Sequence, residues 1–101
     1  MKNWKKVKDT EKEVEWKMPI SKGDVAFLKA KYFNPTFALD RHPRWEIITK
    51  VSSQRLPSVP ISKIVLEKNI SERSEAIRVA KDYMRNKLED AESYESYTRL
   101  T

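Results

Sequence analysis

The chain has 101 residues, 21 Lys and Arg against 15 Asp and Glu, a net charge of +6 and no cysteine. That length supports one domain around one modest core, and the surplus of positive charge favours polyanionic or acidic partners without bearing on fold. The lack of cysteine excludes a disulfide framework, a thiolate nucleophile and a zinc finger, while one glycine, Gly23, and one histidine, His42, exclude glycine-rich phosphate loops and multi-histidine metal sites.

In chain order, Lys2, Lys5, Lys6 and Lys8 surround Trp4 and are followed at once by Asp9, Glu11, Glu13 and Glu15. Residues 1–12 read as a basic arm with one aromatic anchor, either flexible or laid along phosphates, with an acidic stretch available to pair with it. Residues 13–91 read as the single domain. From Glu13 to Met18 the alternation is clean, with Val14, Trp16 and Met18 on one side and Glu13, Glu15 and Lys17 on the other, the pattern of a half-buried strand. Residues 21–33 fit two readings. Ser21-Lys22-Gly23-Asp24 could cap a helix that stops at Asn34-Pro35, or Lys22-Gly23-Asp24 could turn into a strand. The strand is preferred because it continues a meander and because Val, Phe and Tyr favour it. In that strand Ala26, Leu28, Ala30 and Tyr32 face one way, and Phe27, Lys29, Lys31 and Phe33 the other.

Residues 34–44 read as a long loop, Arg44–Val51 as a strand rich in β-formers, and Ser62–Lys68 as a further strand entered through Pro57 and Pro60. Near the C-terminal end, Ile77, Ala80, Met84 and Leu88 recur at spacings of three and four, with no Gly or Pro over 72–92. That predicts a helix over about 71–91, with Asn69 or Ser71 as its cap. Residues 92–101 read as a polar acidic and tyrosine tail without helical periodicity. The expected fold is α+β: a small antiparallel sheet of three to four strands packed against one C-terminal helix. Its core would be Val14, Trp16, Leu28, Ile48, Val65, Ile77, Ala80, Met84 and Leu88.

Cations interleaved with aromatics are the components of a nucleic-acid surface, charges for phosphates and rings for bases. Lys29, Lys31, Arg41, Arg44 and Lys50 would supply the charge, and Tyr32, Phe33 and Trp45, with Trp16, the stacking. The competing reading makes the aromatics core and the lysines their solubilising neighbours. An exposed Phe27–Lys29–Lys31–Phe33 row would be costly unless something covers or binds it. On the helix, Arg78, Lys81 and Arg85 form a basic stripe, but Glu75, Asp82 and Glu89 are spaced for intrahelical ion pairs, which favours a solvated face. His42 with Asp40 and Glu46 is the one acid–base grouping, and nothing specifies a nucleophile, an oxyanion site or a cofactor.

The expectation is a non-enzymatic nucleic-acid-binding accessory or regulatory protein, without cofactor or metal. The alternative is an adaptor or inhibitor docking on an acidic surface of a larger protein. Homodimerisation through a sheet edge or the helix is compatible with either. No apolar run approaches the ~18 residues of a membrane span, and with no signal peptide in view a cytoplasmic location is expected. A small sheet followed by a helix opening at Ser71-Glu72-Arg73-Ser74-Glu75-Ala76 resembles, over residues 13–91, the element order of the arm-binding domains of tyrosine integrases, which insert the sheet into a DNA groove. The resemblance is one of order alone, without the glycine hairpins, so no function is carried over from it.

Overall fold

Alternation of apolar and polar side chains builds most of this chain into strands. The structure, a computed structural model, describes residues 3–20, 23–34, 43–53 and 60–99. Five strands, β1 (Lys5–Asp9), β2 (Glu13–Pro19), β3 (Asp24–Phe33), β4 (Arg44–Ser53) and β5 (Pro60–Ile70), pair antiparallel in the order β1-β2-β3-β4-β5. Two helices follow, α1 (Arg73–Asn86) and α2 (Ala91–Arg99). The α+β class is as expected, with five strands instead of three or four and a second helix. Residues 24–33 are strand, as preferred. Gly23 enters β3 at φ 76°, a conformation that side chains with a Cβ rarely adopt.

One face of the sheet carries the core. Val14, Trp16 and Met18 on β2, Ala26, Leu28 and Ala30 on β3, and Trp45 and Ile47 on β4 are buried against Ala76, Ala80 and Met84 of α1 and against Leu88. α1 lies over β3, β4 and β5. Alanine at the helix surface and alternate positions of β3 keeps both surfaces shallow where they meet, and the bulk comes from Trp16, Leu28, Trp45 and Met84. Each large apolar side chain buried in this way stabilises the fold by roughly 1.5–3 kcal/mol.

Several expectations are corrected. The supposed arm is docked: Lys5–Asp9 is an edge strand, and Trp4 is 5% exposed, its Nε1 donating to the Leu88 carbonyl at 2.6 Å. Lys6–Asp9 (2.8 Å) and Lys8–Glu13 (2.6 Å) join the basic segment to the acidic one, and Arg73 of α1 reaches Asp9 at 2.7 Å. α1 stops at Asn86, where the Lys87 and Leu88 N–H groups both return to the Tyr83 carbonyl, and it starts after Glu72, not Asn69 or Ser71. Asn69 instead takes φ 66° near the end of β5, a left-handed position that Asn tolerates better than most residues. The expected tail is α2. Asp90 caps it by accepting from the Ser93 N–H at 2.8 Å, and Tyr94 is fully buried beside Trp4 with ring centroids 6.1 Å apart.

The alternation of β4 corrects the places of Trp45, Ile48 and Val65. Trp45, Ile47, Thr49 and Val51 face the helices, so Arg44, Glu46, Ile48 and Lys50 face away. Ile48 is buried, but on the opposite side of the sheet, and its cross-strand partner Val65 is 47% exposed there. The Ile47-Ile48 doublet leaves phase open in the sequence, and a one-residue slip exchanges the two faces completely.

Candidate nucleic-acid interface

No described element packs on the face of the sheet turned away from the helices, although Glu46 and Ile48 on it are buried, and register sorts its side chains into rows across the strands. One row runs Lys5, Lys17, Phe27, Lys50, Lys63, one residue from each strand in turn. At about 4.8 Å between neighbouring strands it is roughly 19 Å long. The next rows are mixed: Lys8, Glu15, Lys29, Ile48 and Val65, then Glu13, Lys31 and Glu46, and finally Phe33 with Arg44. In the mixed rows opposite charges face each other, and two of their carboxylates are engaged directly, Glu13 by Lys8 at 2.6 Å and Glu46 by Arg44 at 2.7 Å. The first row has no carboxylate. Lys5 faces Lys17, and Lys50 faces Lys63. Like charges directly opposite across a sheet disfavour it.

The two phenylalanines are held among cations. Lys50 Nζ lies 5.2 Å from the Phe27 ring centre, and Lys31 and Arg44 lie 5.3 and 5.7 Å from that of Phe33. These contacts partly cover the half-buried rings from within the molecule, each contributing ~0.5–1 kcal/mol at a solvated site. Burial, and after it the charge of Lys50, holds the Lys29 ammonium below its ordinary pKa. Burial acts on Glu13 in the raising direction, but the Lys8 hydrogen bond and the charges of Lys29, Lys8 and Lys31 outweigh it and leave its pKa lowered. Along β5 an open depression of about 840 Å³ is lined by Phe33 and Val65, by the cations Arg44, Lys63 and Lys68, and by the carboxylates of Glu46 and Glu67.

The sequence-expected residues divide cleanly. Lys29, Lys31, Phe33, Arg44 and Lys50 share the open face. Tyr32 and Trp45 do not: they face the helices with ring centroids 5.6 Å apart, and Trp45 is 5% exposed. Trp16, 2% exposed, is likewise core, so neither tryptophan has a ring surface to offer a base. Arg41, with Asp40 and His42, lies outside the described residues. Lys17 and Phe27 belong to the same basic and aromatic stretch of sequence, Lys5 comes from the basic N-terminal segment, and Lys63 is the member that the sequence pattern does not point to. Cross-strand register is what sets them in one row with Lys50.

No family model, curated protein or solved structure matches this chain. What the face can bind follows from its own chemistry. Among the described residues no three His, Asp or Glu side chains converge as metal ligands, and no helix is long and apolar enough to cross a membrane. The basic stripe of α1 lies on the other side of the molecule, where Arg78 pairs with Asp82 at 3.2 Å, the intrahelical arrangement that its spacing suggested.

Proposed function

We propose that this protein binds nucleic acid through the open face of its sheet and performs no chemistry on it. The observation that carries the reading is the Lys5–Lys17–Phe27–Lys50–Lys63 row: four ammonium groups without a facing carboxylate, and an aromatic ring at the centre. A phosphate backbone along the row relieves the like-charge repulsion. A base on a phenyl ring contributes ~1–3 kcal/mol, more than the cation–ring contact it displaces, and the displaced cation gains a phosphate. An acidic protein surface is the other partner that the charge suggests. The tryptophans that would anchor such an interface are in the core, which leaves it Phe27 and Phe33.

The test is titration of labelled oligonucleotides followed by anisotropy between about 50 and 200 mM salt. Lys5, Lys17, Lys50 and Lys63, neutralising one phosphate each, give a slope of log K against log salt of about −2.8 to −3.6. The double variant Lys50→Ala/Lys63→Ala flattens that slope by about 1.4 to 1.8. Tryptophan fluorescence is the wrong reporter, because Trp4, Trp16 and Trp45 are all buried. No binding at low salt removes the proposal. A protein partner retained at high salt in its place assigns the face to protein recognition.

A further inference from the structure

We infer that the nucleic acid held by this face is single-stranded, with one unpaired base stacked on Phe27 and another on Phe33, the second entering the depression beside that ring. The inference rests on the nucleic-acid reading above and names the form of the ligand. A phenyl ring has no polar tip, so it recognises a base only through the base's flat face. In a duplex those faces are covered by the neighbouring pairs, and reading is done at base edges by an element that enters a groove. Here both helices lie on the far side of the sheet from the phenylalanines. A wedge between stacked pairs would first have to unstack them, a cost that an unpaired base does not carry.

Spacing supports the same form. Phe27 and Phe33 are six residues apart on β3, roughly 20 Å at ~3.3 Å per residue. Bases stacked on one another are ~3.4 Å apart, so the two bases are not adjacent: from the lysine row at Phe27 the nucleic-acid strand turns along β3, past Lys29 and Lys31 on the same face, to reach Phe33. Each ring has a cation across the strand, Lys50 at 5.2 Å and Arg44 at 5.7 Å from the ring centre. A ring with a cation at its face, present at Phe27 and again at Phe33 with two lysines between them, matches a flexible backbone that presents a base, then phosphates, then a base. The depression of about 840 Å³ against Phe33 offers a base splayed out of such a strand the exposed Val65 side chain as apolar contact, beside Arg44, Lys63 and Lys68 and the carboxylates of Glu46 and Glu67.

The experiment compares a fluorescein-labelled strand of about 12 nucleotides, within the usual site sizes, with the duplex of the same sequence. Deoxy- and ribo-oligonucleotides are both used, since every group recognised is common to both. Full-length wild type is set beside Phe27→Ala, Phe33→Ala and Phe27→Leu, and all are checked by thermal melting. Phe27→Leu keeps apolar bulk and loses the aromatic face, so it separates stacking from folding. Tighter binding of the single strand is expected, with each phenylalanine variant weakening it about five- to hundredfold and leaving duplex binding within about twofold. Equal or tighter binding of the duplex, or single-strand binding unmoved in all three variants, overturns the inference. If Lys50→Ala/Lys63→Ala still loses affinity in that case, the nucleic-acid reading stands without it. No binding to any strand removes both.

Discussion

Trp4 offers the sharpest test of how the two ends of the described chain are joined. Its indole Nε1 donates to the Leu88 carbonyl at 2.6 Å, its ring packs on Tyr94 at 6.1 Å, and the neighbouring Asn3 Nδ2 donates to the Glu89 carbonyl at 3.1 Å. Trp4→Phe keeps most of the ring and removes the donor. It leaves a buried carbonyl unpaired, at a cost of about 1–3 kcal/mol. Trp4→Ala also removes the packing, including the ring contact with Tyr94, and the loss rises to about 3–5 kcal/mol. Against a total of about 5–15 kcal/mol for a domain of this size, the alanine variant is close to the limit of folding. Each kcal/mol lowers the melting temperature by about 4–8 °C. Urea and thermal unfolding followed by far-ultraviolet circular dichroism measure both variants. If Trp4→Ala costs less than about 1 kcal/mol, residues 3–9 are the loose basic arm that their composition suggests, and the docking described above is wrong.

The other predictions concern single hydrogen bonds and acid stability. Thr49 Oγ1 donates to the Phe27 carbonyl at 2.8 Å, so the Tyr94 hydroxyl, 2.7 Å away, must be the donor to Thr49. Tyr94→Phe should cost about 0.5–1.5 kcal/mol, and a cycle with Thr49→Val should show the two changes to be strongly non-additive; simple additivity would exclude the bond. Ser52 Oγ is buried without a hydrogen-bond partner among the described residues. Ser52→Ala should therefore be neutral or raise stability by up to about 1 kcal/mol, and a clear loss on urea unfolding would show that the hydroxyl is bonded. Asp9, bonded by Lys6 and beside Arg73, and Glu13 both have folded pKa values below their ordinary 3.8 and 4.5. Their contribution is complete above those values and is lost as pH falls through the lower folded ones. Stability should drop on acidification below about pH 4.5, with a shallower drop in Glu13→Gln; an unchanged acid profile in that variant would refute the assignment.

The strands were legible where alternation was strict. Glu13–Met18 and the preferred reading of residues 24–33 needed only a two-residue period, and the outward Phe27–Lys29–Lys31–Phe33 row follows from it. What failed was phase and partnership. On β4 the isoleucine doublet satisfies either phase, and the choice depends on Trp45, whose burial is decided by α1 packing from about thirty residues away. β1 has every residue exposed, so no local pattern marks it. It exists because β2 offers an edge and Trp4 has a pocket made by Leu88 and Tyr94. α2 did leave a signal, an Asp90 cap followed by Tyr94 and Tyr97 three residues apart, but nine residues are too few for a helix to stand without a sheet to pack on. The lysine row was illegible for a different reason: its members come from five strands, and only register brings them together.

The meander also sets an order of events during folding. Each strand pairs with its neighbour in sequence, so the sheet can zip up by short steps with little loop closure at any one of them. The Trp4–Leu88 bond joins residues 84 positions apart and needs both the finished sheet and the turn after α1. It closes last, as a clasp. Interactions absent from the transition state govern how quickly a protein opens, not how quickly it forms. Loosening the clasp should therefore leave the refolding rate almost unchanged and shorten the lifetime of the folded molecule, so that a substitution on the covered side decides how long the lysine row on the other side persists.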